Sequence, residues 1–369
     1  LREARDTMEL LKTAELQDFF EDECVAAKKK RVPVTLDRTP PHTALLYPIS
    51  MPDKLAILLA LPDEMRHVTV PVDAKTLKKV ILRFRRRLQT RLNNRFLSDA
   101  KQIYDWLIRP VLSALAEHEI DTLIIAPDGA LRLVPFTTLH DGERFLVEDY
   151  AMAIIPAITL TDFSSFEQEN AEILLSGLSE GGEHFSALPG VVDELRDIRE
   201  IMNGKTVLHN EDYTVANLTK EFKERAYSIV HIATHGIFGG TPEETFLLAY
   251  HENLTMNRLE RLIGMSRRHE RQVELLTLSA CQTALGNERA ALGLAGSAVK
   301  AGVGSVIATL WYVDDEATSL TVREFYRQLR RPGMSKAKAL QNAQKKLIIQ
   351  PRYWQPLYWA PFILIGNWN

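Results

Sequence analysis

The chain has 369 residues, 46% of them hydrophobic, and carries 45 basic against 48 acidic side chains for a formal net charge of −3. That length suits about two domains, the composition excludes a disordered chain, and the charge balance gives no global drive toward nucleic acid or an anionic membrane. Two cysteines, Cys24 and Cys281, cannot build a disulfide framework and fit a reducing compartment.

The opening LREARDTMELLKT is charged and helical in pattern, unlike a signal or transit peptide. With no initiating Met, the expectation is the C-terminal part of a longer protein or a processed product, cytoplasmic by default. Residues 1–30 read as one helix with Met8, Leu11, Leu16, Phe19 and Phe20 on its apolar face, ending at Lys28-Lys29-Lys30. RVPVTLDRTPPHT then reads as a linker, because its prolines break a helix.

Three β-like runs follow, ALLYPI (44–49), LAILLAL (55–61) and HVTVPV (67–72), separated by Pro-containing turns and expected to form a meander. Residues 74–95 predict a helix with Leu77, Ile81, Phe84, Leu88 and Leu92 along one stripe. Its other faces carry Lys78, Lys79, Arg83, Arg85, Arg86, Arg87 and Arg91. This is read as a solvated face in preference to a nucleic-acid patch. A helix over 98–117 and a strand TLIIAP (122–127) come next, with RLVPF and YAMAIIPA as further strand candidates.

From about residue 171 strands alternate with helices: EILLSGL, VVDELRDIREIM, KTVLHN, TVANLTKEFKER, YSIVHIATHG, VELLTLSAC, LAGSAVKAG, VGSVIATLW, DDEATSLTVREFYRQLR, SKAKALQNAQKKLI and YWAPFILIG. Such alternation predicts a mostly parallel sheet with helices on both faces. No apolar run approaches the roughly 18 residues that cross a bilayer, so no membrane partner is expected.

In open α/β sheets functional groups gather at the carboxyl ends of strands. One strand here ends in His235-Gly236 and another in Cys281-Gln282, with Cys281 following His235 by 46 residues. That is the order and spacing of caspase-like peptidases. A thiolate is the attacking species, and an imidazole beside it can take the thiol proton and return it to a leaving amine. The backbone N–H groups of Gly236 and Cys281 are the expected oxyanion donors. Each residue alone also has a plain structural reading: cysteines are commonly buried as packing, and a histidine at a strand end is commonly structural. His231, inside the strand, is the better core histidine. No zinc spacing, phosphate loop or GxSxG elbow occurs, so no cofactor or metal is expected. GLSEGGEHF (177–185) is expected to be a loop near the site.

HIATHG, LSACQT, GLAGSAVKAGVGSVIATLW, VDDEAT and YWAPFILIG, in that order, resemble the CHAT domain, a caspase- and separase-like cysteine peptidase domain often preceded by TPR helices. IIAPDGALRLVPF and ALPGVVDELRDI resemble it too, so the likeness covers about residues 40–369. It implies His235 as catalytic histidine, Cys281 as nucleophile and a caspase-like, mostly parallel sheet flanked by helices over 166–369. Residues 40–165 would then be a second, inactive caspase-like half with antiparallel strands and helices, and 1–39 a helix and linker, the tail of a TPR array. The resemblance also implies a protein substrate, cleaved as by an endopeptidase through a thioester, and a regulatory partner or ligand acting through the TPR region. Direct nucleic acid contact is not expected. ATLWYVDDEAT resembles the separase segment whose acid faces a basic substrate side chain, which implies Asp315, with Asp314 beside it, as substrate-binding. Both also stand where a helix begins, and an acid there caps it. Ala284 stands where many family members have glycine, and Leu285-Gly286 is expected to absorb the turn. The alternative to an enzyme is a catalytically silent interaction module on the same scaffold.

Overall fold

The computed structural model describes residues 1–20, 39–90, 93–161, 166, 171–181, 185–238, 245–266, 272–283, 302–311 and 314–369, with the backbone alone for 19–20, 238 and 280–283. Residues 28–30, most of the expected linker, nearly all of the expected helix LAGSAVKAG and the turn at Ala284, Leu285 and Gly286 lie outside the described residues. The chain divides into two units, Leu1–Thr161 and Asp162–Asn369.

The first unit opens with helix α1 (Arg2–Phe20). Its buried face is not the expected apolar one: Arg5, Glu9, Lys12 and Leu16 face inward, while Leu11 is exposed. The surface it meets is polar, and polar groups taken from water must find partners. Glu9 accepts from Tyr47 Oη at 2.8 Å and from Thr159 N at 3.0 Å, and Lys12 Nζ donates to the Pro127 carbonyl at 2.7 Å. Burial, with Arg132 nearby, lowers the Lys12 ammonium to about 8. The meander forms as β1 (Thr43–Ser50), β2 (Leu55–Ala60) and β3 (Met65–Val70), antiparallel in turn. β4 (Thr122–Ile125) runs parallel to β1 on its other edge, and β5 (Ala151–Ile154) parallel to β4. RLVPF is not a strand: two 3-10 turns, Gly129–Leu133 and Phe136–Thr138, flank Pro135, which has no N–H to give a ladder.

The basic helix is α2 (Ala74–Leu88), capped by Asp73. Arg83 and Arg87 both bind the buried Asp99 of α3 (Phe96–Leu107), at 2.6 Å and 2.8 Å, and Arg85 is buried. These three cations therefore serve the packing of the unit, and the helix is not simply a solvated face.

In the second unit the sheet order is β7 (Thr206–His209), β6 (Ile173–Gly177), β8 (Ile229–Phe238), β11 (Leu275–Thr283), β12 (Ser305–Thr309) and β13 (Phe362–Gly366), with β9 (Phe246–Ala249) and β10 (Glu252–Thr255) as a hairpin on the far end of β8. β7 through β12 are parallel, and β13 runs antiparallel to β12. The crossovers include α4 (Gly190–Met202), α5 (Val215–Glu224), α6 (Met256–Ser266) and α7 (Asp315–Leu329), followed by α8 (Lys336–Ile348). The inner parallel strands β6 and β12 are buried on both faces, as helices on either side require, whereas the edge strand β7 is buried on one face.

Candidate active site

β8 and β11 pair in parallel, with Thr277 opposite His231 and Ser279 opposite Ala233. The register then shifts, and Cys281 stands opposite Gly236. Across this stretch β8 advances one residue more than β11. An extra residue of this kind bends a strand and re-aims its side chains. His235 lies in it. The backbone of Cys281 is thereby placed beside the residue that follows His235, at the carboxyl ends of adjacent parallel strands.

His235 is only 5% exposed. Its Nε2 lies 2.8 Å from the Ser186 carbonyl oxygen. A carbonyl can only accept, so Nε2 carries a proton and Nδ1 is left for proton exchange. The Phe185 ring tilts against the imidazole with centroids 5.1 Å apart. Phe185 and Ser186 lie between β6 and α4; Phe185 ends the segment expected to be a loop near the site, and Ser186 follows it. Its two ends are tied: Leu188 N–H donates to the Ser179 carbonyl, and Ser179 is held by Asn210 Oδ1 and His209 Nε2.

Asp314 caps α7, accepting from Ala317 N at 3.2 Å. Asp315 points to a different helix end: its Oδ2 accepts from Gly190 N, the first residue of α4, at 2.6 Å. A Cβ on Gly190 would lie 2.6 Å from the Asp315 carboxyl carbon, so only glycine admits the carboxylate there. Burial raises the Asp315 carboxyl above its ordinary range. The Gly190 N–H opposes that rise, nearby Glu194 and Asp314 add to it, and His235 opposes it. His235 is thus within electrostatic reach of Asp315.

His231 is buried in the core beneath. Its Nε2 is 2.9 Å from Glu194 Oε1, a short contact off the line of a hydrogen bond, and both residues are almost wholly enclosed. Tyr326 of α7 donates to Thr277 Oγ1 at 2.9 Å, with its hydroxyl 3.3 Å from His231 Nδ1. Burial pushes the Tyr326 phenol well above its ordinary range. One polar chain thus joins β8, β11, α4 and α7. Sequence reasoning missed Glu194, although it left a signal: a carboxylate on the buried face of α4 beside Val191, Leu195 and Ile198. Ser186 acts through its backbone and leaves no such signal. Among the described residues no cluster of three or more His, Cys, Asp or Glu side chains could hold a metal ion.

The fold is similar to that of a separase from Saccharomyces cerevisiae, solved in complex with securin (TM-score 0.59, 11% identity). The match covers 93% of this chain and 31% of that one, so this chain spans about a third of the yeast protein's length. The Arg-specific cysteine proteinase gingipain R (RgpB) of Porphyromonas gingivalis, solved with its pro-domain, matches at TM-score 0.46 and 10% identity over 80% of this chain and 76% of that one. A comparison with curated proteins finds no match. A family model described as the CHAT domain matches residues 97–367, well over half of the sequence, and the chain belongs to that family.

Proposed function

We propose that this chain is a cysteine endopeptidase using Cys281 and His235. The observation that carries the reading is the register of β8 and β11: it sets Cys281 beside Gly236, while the Ser186 carbonyl holds His235 Nε2. In this reading Nδ1 takes the Cys281 thiol proton as sulfur attacks the scissile carbonyl, and gives it to the leaving amine as the C–N bond breaks. The N–H groups of Gly236 and Cys281 meet the oxyanion. Water, deprotonated by the same imidazole, resolves the thioester to acid and free thiol. The substrate is a protein, and activity is gated by a partner or ligand.

Cys281→Ala and His235→Ala should each abolish proteolysis, and Cys281→Ala should abolish labelling by a thiol-reactive peptide. Proteolysis that survives Cys281→Ala ends the reading, and a chain that neither cleaves nor labels in any state is a silent module. Asp315 remains the candidate partner of a basic side chain before the scissile bond, with Asp314 beside it. Its carboxylate already holds one N–H, so a substrate would have to share it. Equal cleavage after aspartate and arginine in a scan of that residue removes Asp315 from this role.

A further inference from the structure

One edge of β8 changes partner along its length. Parallel β6 covers Ile229–Ala233, and antiparallel β9 covers Gly236–Ile237. Where the first partner ends and the second begins, Leu178 N–H reaches the Ala233 carbonyl and Thr234 Oγ1 reaches the Leu248 carbonyl. A cavity of about 400 Å³ opens between these two partners, walled by Leu178, Phe185, Leu248 and Tyr250 and carrying Glu180 and Glu252. Phe185 is also the ring packed on His235, so cavity and imidazole share a wall. Cys281 lies across the opposite edge of β8, since Gly236 pairs with Cys281 on one side and with Leu247 on the other.

This order has a chemical direction. A nucleophile meets the carbonyl carbon, and the acid that completes cleavage must reach the amide nitrogen. The substrate chain therefore runs from cysteine toward histidine as it passes from its acyl part to its leaving part. A cavity beyond the histidine, away from the cysteine, meets the leaving part. Among the described residues, the lining has no lysine or arginine, and its one imidazole is that of His251. Glu252 is engaged by Val215 N–H and Arg258, whereas the exposed Glu180 meets the neutral amide of Asn210. Apolar walls with a carboxylate suit an aliphatic stem ending in a cation.

We propose that this cavity is the subsite for the residue that follows the scissile bond, and that it selects arginine or lysine through Glu180. The inference rests on the cysteine-peptidase reading, and its test has two arms. In the first, the full chain is titrated by NMR with Arg-Ala-Ala amide, which mimics the leaving product, and with its norleucine counterpart. The arginine peptide should bind at least fivefold tighter, and Glu180→Gln should remove that advantage without changing norleucine binding. In the second, a proteome-derived peptide library is digested and both sides of each cut are read by mass spectrometry. Arginine and lysine should be enriched just after the cut. Glu180→Lys should turn that enrichment to aspartate and glutamate, leaving the residue before the cut as it was. Equal binding of the two peptides, or a Glu180→Lys variant that alters the residue before the cut instead, overturns the subsite. Failure of the peptidase reading looks different: Glu180-dependent arginine binding persists, but wild type and Cys281→Ala give the same digest, and the role in cleavage is overturned while the basic-peptide site stands.

Discussion

Replacing Gly190 by alanine probes the contact that ties α4 to α7. Alanine is the better helix former by about 0.5–1 kcal/mol, so propensity alone predicts a gain. The structure predicts a loss. The new Cβ would sit 2.6 Å from Asp315 Cγ and Oδ2, closer than real Cβ contacts come, and the short aspartate has no room to retreat without leaving Gly190 N. A hydrogen bond to a charged group contributes about 1.5–3 kcal/mol, and the displaced carboxylate would remain near Glu194 and Asp314. The net expectation is a destabilisation of about 1–2 kcal/mol.

Urea unfolding gives the global cost, and hydrogen exchange of residues 190–202 gives the local one, since the two units need not unfold together. The decisive comparison is a cycle with Asp315→Ala. Without the carboxylate the clash is gone, and Gly190→Ala should be neutral or stabilising by up to about 1 kcal/mol. A neutral Gly190→Ala in the otherwise native chain, or the same penalty in both backgrounds, would refute the reasoning.

Glu194→Ala and His231→Ala should each cost about 3–5 kcal/mol in urea unfolding, because each strands a buried partner, and the double variant should cost less than their sum. Asp314→Ala should cost about 1 kcal/mol as a lost helix cap, read in the same way. The Asp315 carboxyl is raised above its unfolded value of 3.8, chiefly by burial, so the native state keeps a proton that the unfolded chain releases. Its contribution to stability is greatest below that value and is lost as pH rises through the raised one. Asp315→Asn should flatten that part of the stability-versus-pH curve.

Among the described residues, the alternation of β6, β7, β8, β11, β12 and β13 with α4, α5, α7 and α8 was legible because the strands are apolar runs and the helices have a 3.6-residue stripe, whereas α6 was not read from the sequence. The hairpin β9–β10 was not, since two four-residue strands show too few alternations to stand out and rest on β8 for their pairing. Nor was the buried face of α1, because partners for Glu9 and Lys12 come from Tyr47, Pro127 and Thr159, far away in sequence. At the candidate site, His235 and Cys281 stood out as reactive residue types at the ends of apolar strands. The shift that sets Cys281 opposite Gly236 is a property of the pair of strands, which neither segment carries by itself. The Ser186 carbonyl was invisible for another reason: any residue could supply it.

These contacts converge on the start of α4. Its first N–H is held by Asp315 from α7, and one turn later Glu194 meets His231 of β8. Four residues before that first N–H stands Ser186, whose carbonyl holds His235. An imidazole held by one backbone carbonyl is only as well placed as the segment that carries it. Here that segment is fastened upstream by Ser179 to Asn210, and downstream by a helix pinned to the same strand that bears the imidazole. The buried Glu194 and His231 therefore have a use that stability alone does not explain: replacing them by apolar side chains could keep the core packed, yet would remove the polar contact that fixes α4 against β8. The geometry of His235 is in this way a property of α4 as much as of β8.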